Sequence, residues 1–380
     1  MILPAPLRAL VVAAAFGGGL LGPAAAQTWE SGDPEALGLD PRRLAEGVER
    51  VSRAGGVRCL LVARRGRLVE ERCWGGARPD RPHDVKSASK SLLSALVGIA
   101  LDRGVLRDVD QAIAPLLGEE LPEEPGARTE ITVRHLLTMT SGLESTSGAG
   151  YGRWVASGDW ARYAVRRPLE APPGSRFAYS TGNTHLLGTV LARAAGESLL
   201  DFAARHLFGP LGVRVSAWQR APEGTHFGGN SLSLSPRALA RFGQLYLDGG
   251  RIGERQLVPR GWIAESTRRH AVGWPDRYGG YGYLWWVRPD DRPPAFAAVG
   301  YGGQFLYVVP ELELLVVLTS SHGGKGAAWD RRMLGIFRDY LAGSVRPSSS
   351  SWMKRSRSSW EASGGATNSS PSRTLPAPGE

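Results

Sequence analysis

The sequence predicts a mixed α/β fold in which both ends of the chain build one sheet and a mainly helical region is inserted between them. Three observations carry this. Strand-like patterns lie early, at about 55–75. They return late, at about 280–320, where aromatic and β-branched residues crowd into "YGYLWWV", "QFLYVVPE" and "LELLVVLTSS". From about 86 to 270 the apolar spacing is mainly helical, broken by Gly/Pro loops. Early strands, a helical middle and late strands imply a sheet closed by sequence-distant segments.

Taken in order, the chain opens with "MILPAPLRALVVAAAFGGGLLGPAAAQ". One positive charge (Arg8), an apolar stretch from Leu10 to Leu21 and the small residues Ala24 and Ala26 fit a secretory signal over 1–26, cleaved near Gln27. A retained anchor is the other reading. The shortness of the stretch and its three consecutive glycines favour cleavage, which predicts a periplasmic or secreted protein. No later segment is apolar enough to span a bilayer.

"DPRRLAEGVERVSRAG" reads as an amphipathic helix opening near Asp40-Pro41. "CLLVARRGRLVEERC" reads as a hairpin turning at Arg65-Gly66, which sets Cys59 and Cys73 roughly opposite each other. Export makes a disulfide feasible; two buried thiols are the alternative. Neither cysteine sits in an electropositive setting that would make it reactive. "SASKSLLSALVGIALDRG" has apolar residues at Leu92, Leu96, Ile99 and Ala100 and a stop at Gly104, so it reads as a buried helix. "WDRRMLGIFRDYLAG" reads as a closing helix with Gly343 past its end. From Ser344 to Glu380 the chain is rich in Ser, Pro and Gly and is expected to be disordered. The folded body is therefore read as 27–343.

Composition narrows the function. With 42% hydrophobic and 22% charged residues the chain can bury a sizeable core. The net charge of +10 is carried mostly by single arginines interleaved with Asp and Glu. A nucleic-acid binder would show a basic stripe with stacking aromatics, and none is present. No Gly-x-Ser-x-Gly elbow, His-Glu-x-x-His, phosphate loop or dinucleotide fingerprint occurs. No His/Cys/Asp cluster has metal spacing, and His135 reads as a packed helix residue. No metal or organic cofactor is expected.

Lysine is scarce: Lys86, Lys90, Lys325 and Lys354. Ser-x-x-Lys occurs at Ser87/Lys90 and again at Ser351/Lys354, the second in the low-complexity tail, so the bare pattern is weak. The first match opens the buried helix. A serine there lies near the positive end of the helix dipole, and a lysine three residues on shares its face. Apolar surroundings disfavour the charged amine and let it act as a base near neutral pH. On these residues alone, Ser87 as a helix cap with Lys90 reaching to solvent is an equal reading.

Five ordered segments add to this: "SASKSLLSALVGIALDRG", "ITVRHLLTMTSGL", "PPGSRFAYSTGNTHLLGTVLARAAG", "LSLSPRALARFGQLYLDGG" and "YGGQFLYVVPELELLVVLTS". From about Leu37 to Gly343 the chain resembles the serine hydrolases that include class C β-lactamases, D-alanyl-D-alanine carboxypeptidases, related esterases and aminohexanoate-dimer hydrolases. The resemblance implies a β-lactamase/transpeptidase-like fold, with an antiparallel sheet flanked by helices and a helical domain beside it. It makes Ser87 the acylated nucleophile, Lys90 its partner and Tyr179 of "FAYSTGN" the proton shuttle, with Lys90 lowering the phenol's pKa. Relatives often carry asparagine two positions after this tyrosine; here Thr181 stands there as a substrate-binding candidate, and Asn183 comes later. The third motif, Lys-Thr-Gly or His-x-Gly in relatives, falls on Tyr301-Gly302-Gly303, read as substrate-binding strand. The next residue, Gln304, would offer its backbone N–H beside that of Ser87 as an oxyanion hole.

Tyr301 supplies no cation where β-lactamases often place lysine near a substrate carboxylate, which favours neutral substrates unless an arginine substitutes. Asp159, Trp160 and Asn230 stand where such enzymes shape their pockets, but surface or packing roles fit them equally. The expectation is an exported serine hydrolase that forms an acyl-enzyme on a small-molecule or short-peptide amide or ester. A β-lactamase or D-alanyl-D-alanine carboxypeptidase is the alternative, and a non-catalytic relative the alternative of another class.

Overall fold

Asp40 and Pro41 start the first helix for local reasons. The Asp40 carboxylate accepts hydrogen bonds from the N–H groups of Arg42 and Arg43, and Pro41 sits at a position whose N–H would have no helical partner. Helix α1 runs Pro41–Ser52. These features come from a computed structural model, which describes residues 29–323 and 326–346. The expected signal segment and the tail from 347 on lie outside the described residues.

The central sheet has eight strands: β1 (Val57–Arg64), β2 (Arg67–Cys73), β3 (Ala271–Trp274), β4 (Gly279–Tyr281), β5 (Trp286–Arg288), β6 (Ala295–Gly300), β7 (Gln304–Val309) and β8 (Leu314–Ser320). Their spatial order is β2-β1-β8-β7-β6-β5-β4-β3, antiparallel throughout. The early hairpin therefore joins the last strand, Leu61 opposite Val317, as the sequence pattern implies. Within that hairpin Cys59 pairs with Cys73, and the two form a disulfide.

Alternation along β7 shows how the sheet is covered. Phe305 and Tyr307 point to one face, where their rings meet Phe337 beyond helix α5 (Gly326–Ile336). Leu306 points to the other, where helix α4 (Pro236–Leu247) approaches so closely that a Cβ on Gly243 would lie 2.5 Å from the leucine Cδ1. Both faces are dry, so β7 and β8 are buried along their whole length.

Between β2 and β3 lie helix α2 (Ser89–Asp102), helix α3 (Thr181–Ala195) and a series of shorter helices. A small sheet joins His83–Asp84, Leu232–Leu234 and Ala217–Trp218. It ties the segment before α2 to the chain 150 residues later.

Three sequence expectations need correction. "YGYLWWV" is two strands, because Leu284 takes φ +60 and reverses the chain between β4 and β5. The reversal is pinned by Leu284 N–H donating to Leu137 O and by the Ser91 hydroxyl donating to Leu284 O. Tyr301-Gly302-Gly303 is the turn joining β6 to β7, not strand, since both glycines take positive φ. The folded body also reaches past Gly343: Ser344 O accepts from Asp40 N–H, and Arg346 N–H donates to Gly38 O.

Candidate active site

Ser87 sits in a short 3₁₀ turn, Lys86–Ala88, that runs directly into α2. Its hydroxyl is not a helix cap; the cap position is Ala88, which has no side-chain hydrogen bond to offer. Lys86 before it takes φ +53, a conformation non-glycine residues rarely hold without support. The support is local. Asp84 accepts from the Lys86 N–H at 2.7 Å and pairs with the Lys86 ammonium at 2.6 Å. The Ser89 hydroxyl donates to Lys86 O at 2.7 Å. β6 closes against the turn: a Cβ on Gly300 would lie 2.2 Å from Val85 O, so only glycine fits. Ser87 is left half-buried at the mouth of this turn.

Lys90 lies one helical turn on and is 1% exposed. Its Nζ lies 3.2 Å from Ser87 Oγ, 3.3 Å from Thr181 Oγ1 and 2.8 Å from Gly229 O. All three partners are neutral. Burial without a carboxylate penalises the ammonium form and pulls the lysine pKa down to about 7. Gly229 can supply its carbonyl because it is glycine: at φ +71 its Cβ would stand 2.7 Å from Lys90 Cγ. Gly228 before it crosses α3 with no room for a side chain, since its Cβ would be 2.2 Å from Thr184 O. Thr181, the first residue of α3, is itself buried. Its hydroxyl faces Lys90 and Ser147 Oγ (3.1 Å), placing it behind the lysine. Asn183 is also buried and is held by Ser141 instead.

Tyr179, just before α3, lies beside Ser87. Its ring stacks on Trp286 at 5.7 Å and lies 5.1 Å from Trp274. Burial raises its pKa to about 12, against the neighbouring Ser87 hydroxyl and the nearby charge of Arg277, which both lower it. Lys90, expected to lower it, is not among these causes. The amine stands 5.4 Å from the ring centroid, and its burial favours the neutral form.

The third expected segment is the turn that leads into β7. Gly303, at φ +85, has no room for a Cβ, which would meet Ser320 Oγ at 2.2 Å. Gln304 opens β7 with its side chain turned inward, donating to Ser320 O at 2.7 Å and meeting His83 at 3.2 Å. Tyr301 is 71% exposed at the tip of the turn. Beside it a cleft of about 370 Å³ is lined by Arg58, His83, Lys86, Tyr301, Gly302 and Gln304, among others.

Asp159, Trp160 and Asn230 are each engaged in capping, packing or hydrogen-bond contacts. Asp159 caps a short helix by accepting from Arg162 N–H, and Trp160 packs on Trp154 and Phe227. Asn230 is buried, with its amide donating to Tyr151 at 3.2 Å. Sequence reasoning passed over His185, Glu223, Gly229, Gly300 and Ser91. His185, on α3 and fully buried among Trp154, Trp160 and Phe227, meets Glu223 at 2.6 Å. That pair fastens the segment leading to Gly229 onto the helix that presents Thr181. The Gly-Gly pairs were visible as backbone signals, but nothing local said what each approached.

The sequence model of the family described as Beta-lactamase matches residues 42–335. The chain belongs to the beta-lactamase family. Within it, the chain is 26% identical over 290 residues to the 6-aminohexanoate-dimer hydrolase of Paenarthrobacter ureafaciens, covering 69% of this chain and 72% of that protein. It is 30% identical over 211 residues to the esterase EstB of Burkholderia gladioli, covering 48% and 53%. It is 26% identical over 278 residues to penicillin-binding protein 4 of Amycolatopsis lactamdurans, covering 62% and 71%. Two solved structures share the beta-lactamase fold. One is a penicillin-binding protein homologue from Caulobacter crescentus, with TM-score 0.63, 18% identity and coverage of 81% and 99%. The other is the octameric penicillin-binding protein homologue from Pyrococcus abyssi, with TM-score 0.62, 20% identity and coverage of 83% and 80%. This beta-lactamase-family chain therefore stands among hydrolases whose named members include an amide hydrolase, an esterase and a peptidase. Among its described residues no group of His, Cys, Asp and Glu could hold a metal ion.

Proposed function

We propose that the chain is an exported serine hydrolase that cleaves a small amide or ester through an acyl-enzyme. The observation that carries this is Lys90 Nζ, 3.2 Å from Ser87 Oγ in a pocket that brings the amine's pKa to about 7. Neutral Lys90 takes the Ser87 proton as Oγ bonds to the substrate carbonyl carbon. The negative charge that develops on the carbonyl oxygen is met by the backbone N–H groups of Ser87 and Gln304. Tyr179, protonated at neutral pH, hands its proton to the leaving oxygen or nitrogen as the bond to carbon breaks, and is reprotonated from Lys90. Water then attacks the acyl carbon and gives a proton to Lys90, which passes it to Ser87 Oγ as the bond between Oγ and the acyl carbon breaks, releasing the acid and restoring both groups. The Cys59–Cys73 disulfide and the apolar segment 10–21 support export. Among the described residues, no helix is long and apolar enough to cross a membrane.

The test is a panel of nitrophenyl esters and linear amides with Ser87→Ala as control. The parent should exceed the variant by about 10³-fold or more, with an acyl adduct on Ser87 seen by mass spectrometry. Equal rates would overturn the reading.

A second reading, hydrolysis of a β-lactam or D-alanyl peptide, is favoured by the cleft beside Gln304. Arg58 there can face a carboxylate that Tyr301 cannot, while Lys86 is already paired with Asp84 in the same cleft. A chromogenic cephalosporin turned over faster than the best ester would put this reading first.

A further inference from the structure

The side of the site formed around Tyr179 is aromatic. Trp286 stacks on Tyr179, Trp274 stacks on Trp286 at 5.0 Å, and Tyr278 packs against both tryptophans. Most of these rings are covered, but Trp274 is open: it is 39% exposed and faces Tyr179 at 5.1 Å. Among the described residues the exposed large hydrophobics are Val272, Trp274 and Tyr301, and the first two share the edge strand β3.

The strand is also bent at this point. Ala271 pairs with Tyr281 and Trp274 with Gly279, so β3 carries one residue more than β4 across the same span. Gly273 takes up the extra residue at φ +64, where a Cβ would lie 2.5 Å from Gly279 O. Such bulges re-aim the side chains beside them and recur next to active sites.

We propose that Trp274, with Val272 at its edge, is the apolar wall on which the substrate's leaving group lies. The enzyme then selects esters or amides whose departing alcohol or amine is aromatic or carries a hydrocarbon chain. The inference rests on the reading of Tyr179 as proton donor to the leaving atom. A proton passes only between heavy atoms about 2.6–3.2 Å apart. The leaving atom therefore sits on the Tyr179 hydroxyl, and whatever it carries extends past the neighbours of that ring. The neighbour left open is Trp274. The acyl half, bonded to Ser87 and held at the Gln304 strand, extends the other way.

The test uses two ester series on the full chain. Acetates of ethanol, butanol, hexanol and benzyl alcohol vary the leaving group at constant acyl. Nitrophenyl esters from acetate to hexanoate vary the acyl at constant leaving group. In the parent, kcat/KM should climb along the alcohol series by about threefold for each methylene that is buried. Trp274→Ala should flatten that climb by about tenfold or more at hexyl and benzyl, while the ratios along the acyl series hold within about twofold. Trp274→Phe keeps an aromatic packing partner for Trp286 and should retain about half of the logarithmic slope, so the proposal stays testable if the alanine variant does not fold. An equal flattening along both series, a flattening confined to the acyl series, or no flattening of the alcohol series would each overturn it. If the parent is no faster than Ser87→Ala on either series, the acyl-transfer reading fails instead.

Discussion

The amine of Lys90 lies 2.8 Å from the carbonyl oxygen of Gly229, a residue 139 positions further along the chain. That contact solvates the lysine without neutralising it. A carboxylate in the same place would hold the ammonium charged and useless as a base, whereas a carbonyl leaves burial to set the pKa near 7.

The first consequence is a pH profile. The reactive form of Lys90 is the deprotonated one, so kcat/KM on a neutral ester should rise through about pH 7 and be roughly 100-fold below its plateau at pH 5. Tyr179, with its pKa near 12, sets no falling limb in the ordinary range. Lys90→Arg, charged at every accessible pH, should lose activity by about 10³-fold or more without a compensating rise at high pH. A pH-rate series from 5 to 10 checks both.

Stability should move in step. The unfolded lysine titrates near 10.5 and the folded one near 7, so between those values the unfolded state binds more protons. Stability therefore rises with pH across that window, and below it the full cost of the buried charge is present. Lys90→Met should raise stability at pH 6 by on the order of 1–4 kcal/mol and lose much of the rise between pH 7 and 10. Urea titrations at pH 6 and 9 are the measurement.

Glu223 shows the opposite sign. Burial raises its pKa, but hydrogen bonds from His185 and from Trp160 N–H outweigh that and bring it down to about 2. Its contribution is complete above about pH 4.5 and is lost as pH falls through 2. Glu223→Gln should cost about 1–3 kcal/mol at pH 7, a difference that shrinks toward pH 2. It should also lower kcat, because the segment it anchors carries the Gly229 carbonyl. Denaturant titrations at pH 7 and pH 3, with kcat measured alongside, separate the two effects.

Gly229→Ala tests the carbonyl contact directly. The new methyl would stand 2.7 Å from Lys90 Cγ and at a φ that alanine resists, so the loop must shift. Catalytic efficiency on the best ester should fall by about 100-fold or more, with the apparent pKa of the rising limb displaced from 7. Unchanged kinetics in a folded variant would show that the carbonyl contact is dispensable.

Much of the scaffold was legible because its causes are local. Asp40-Pro41 starts α1 by its own hydrogen-bonding chemistry, and the Cys59–Cys73 hairpin follows from its turn and strand pattern. The misread segments failed for a shared reason. "YGYLWWV" is apolar enough for one strand, yet Leu284 is held in a reversal by Ser91 and Leu137, both far away in sequence. Tyr301-Gly302-Gly303 has strand-like neighbours, but the positive φ of its glycines turns the chain and sets Gln304 at the start of β7.

By itself the sequence determined that strands from both ends share a sheet, that a buried helix begins at the Ser87–Lys90 turn, and that these two side chains lie on one face. Periodicity and residue type dictate those features, and the order of the motifs points to Tyr179. Tertiary structure decided what environment Lys90 has, which backbone carbonyl receives it, that Thr181 stands behind it, and that Trp274 is the ring left open beside Tyr179. Those outcomes depend on burial and on contacts between segments roughly a hundred residues apart, and no short stretch of sequence contains either.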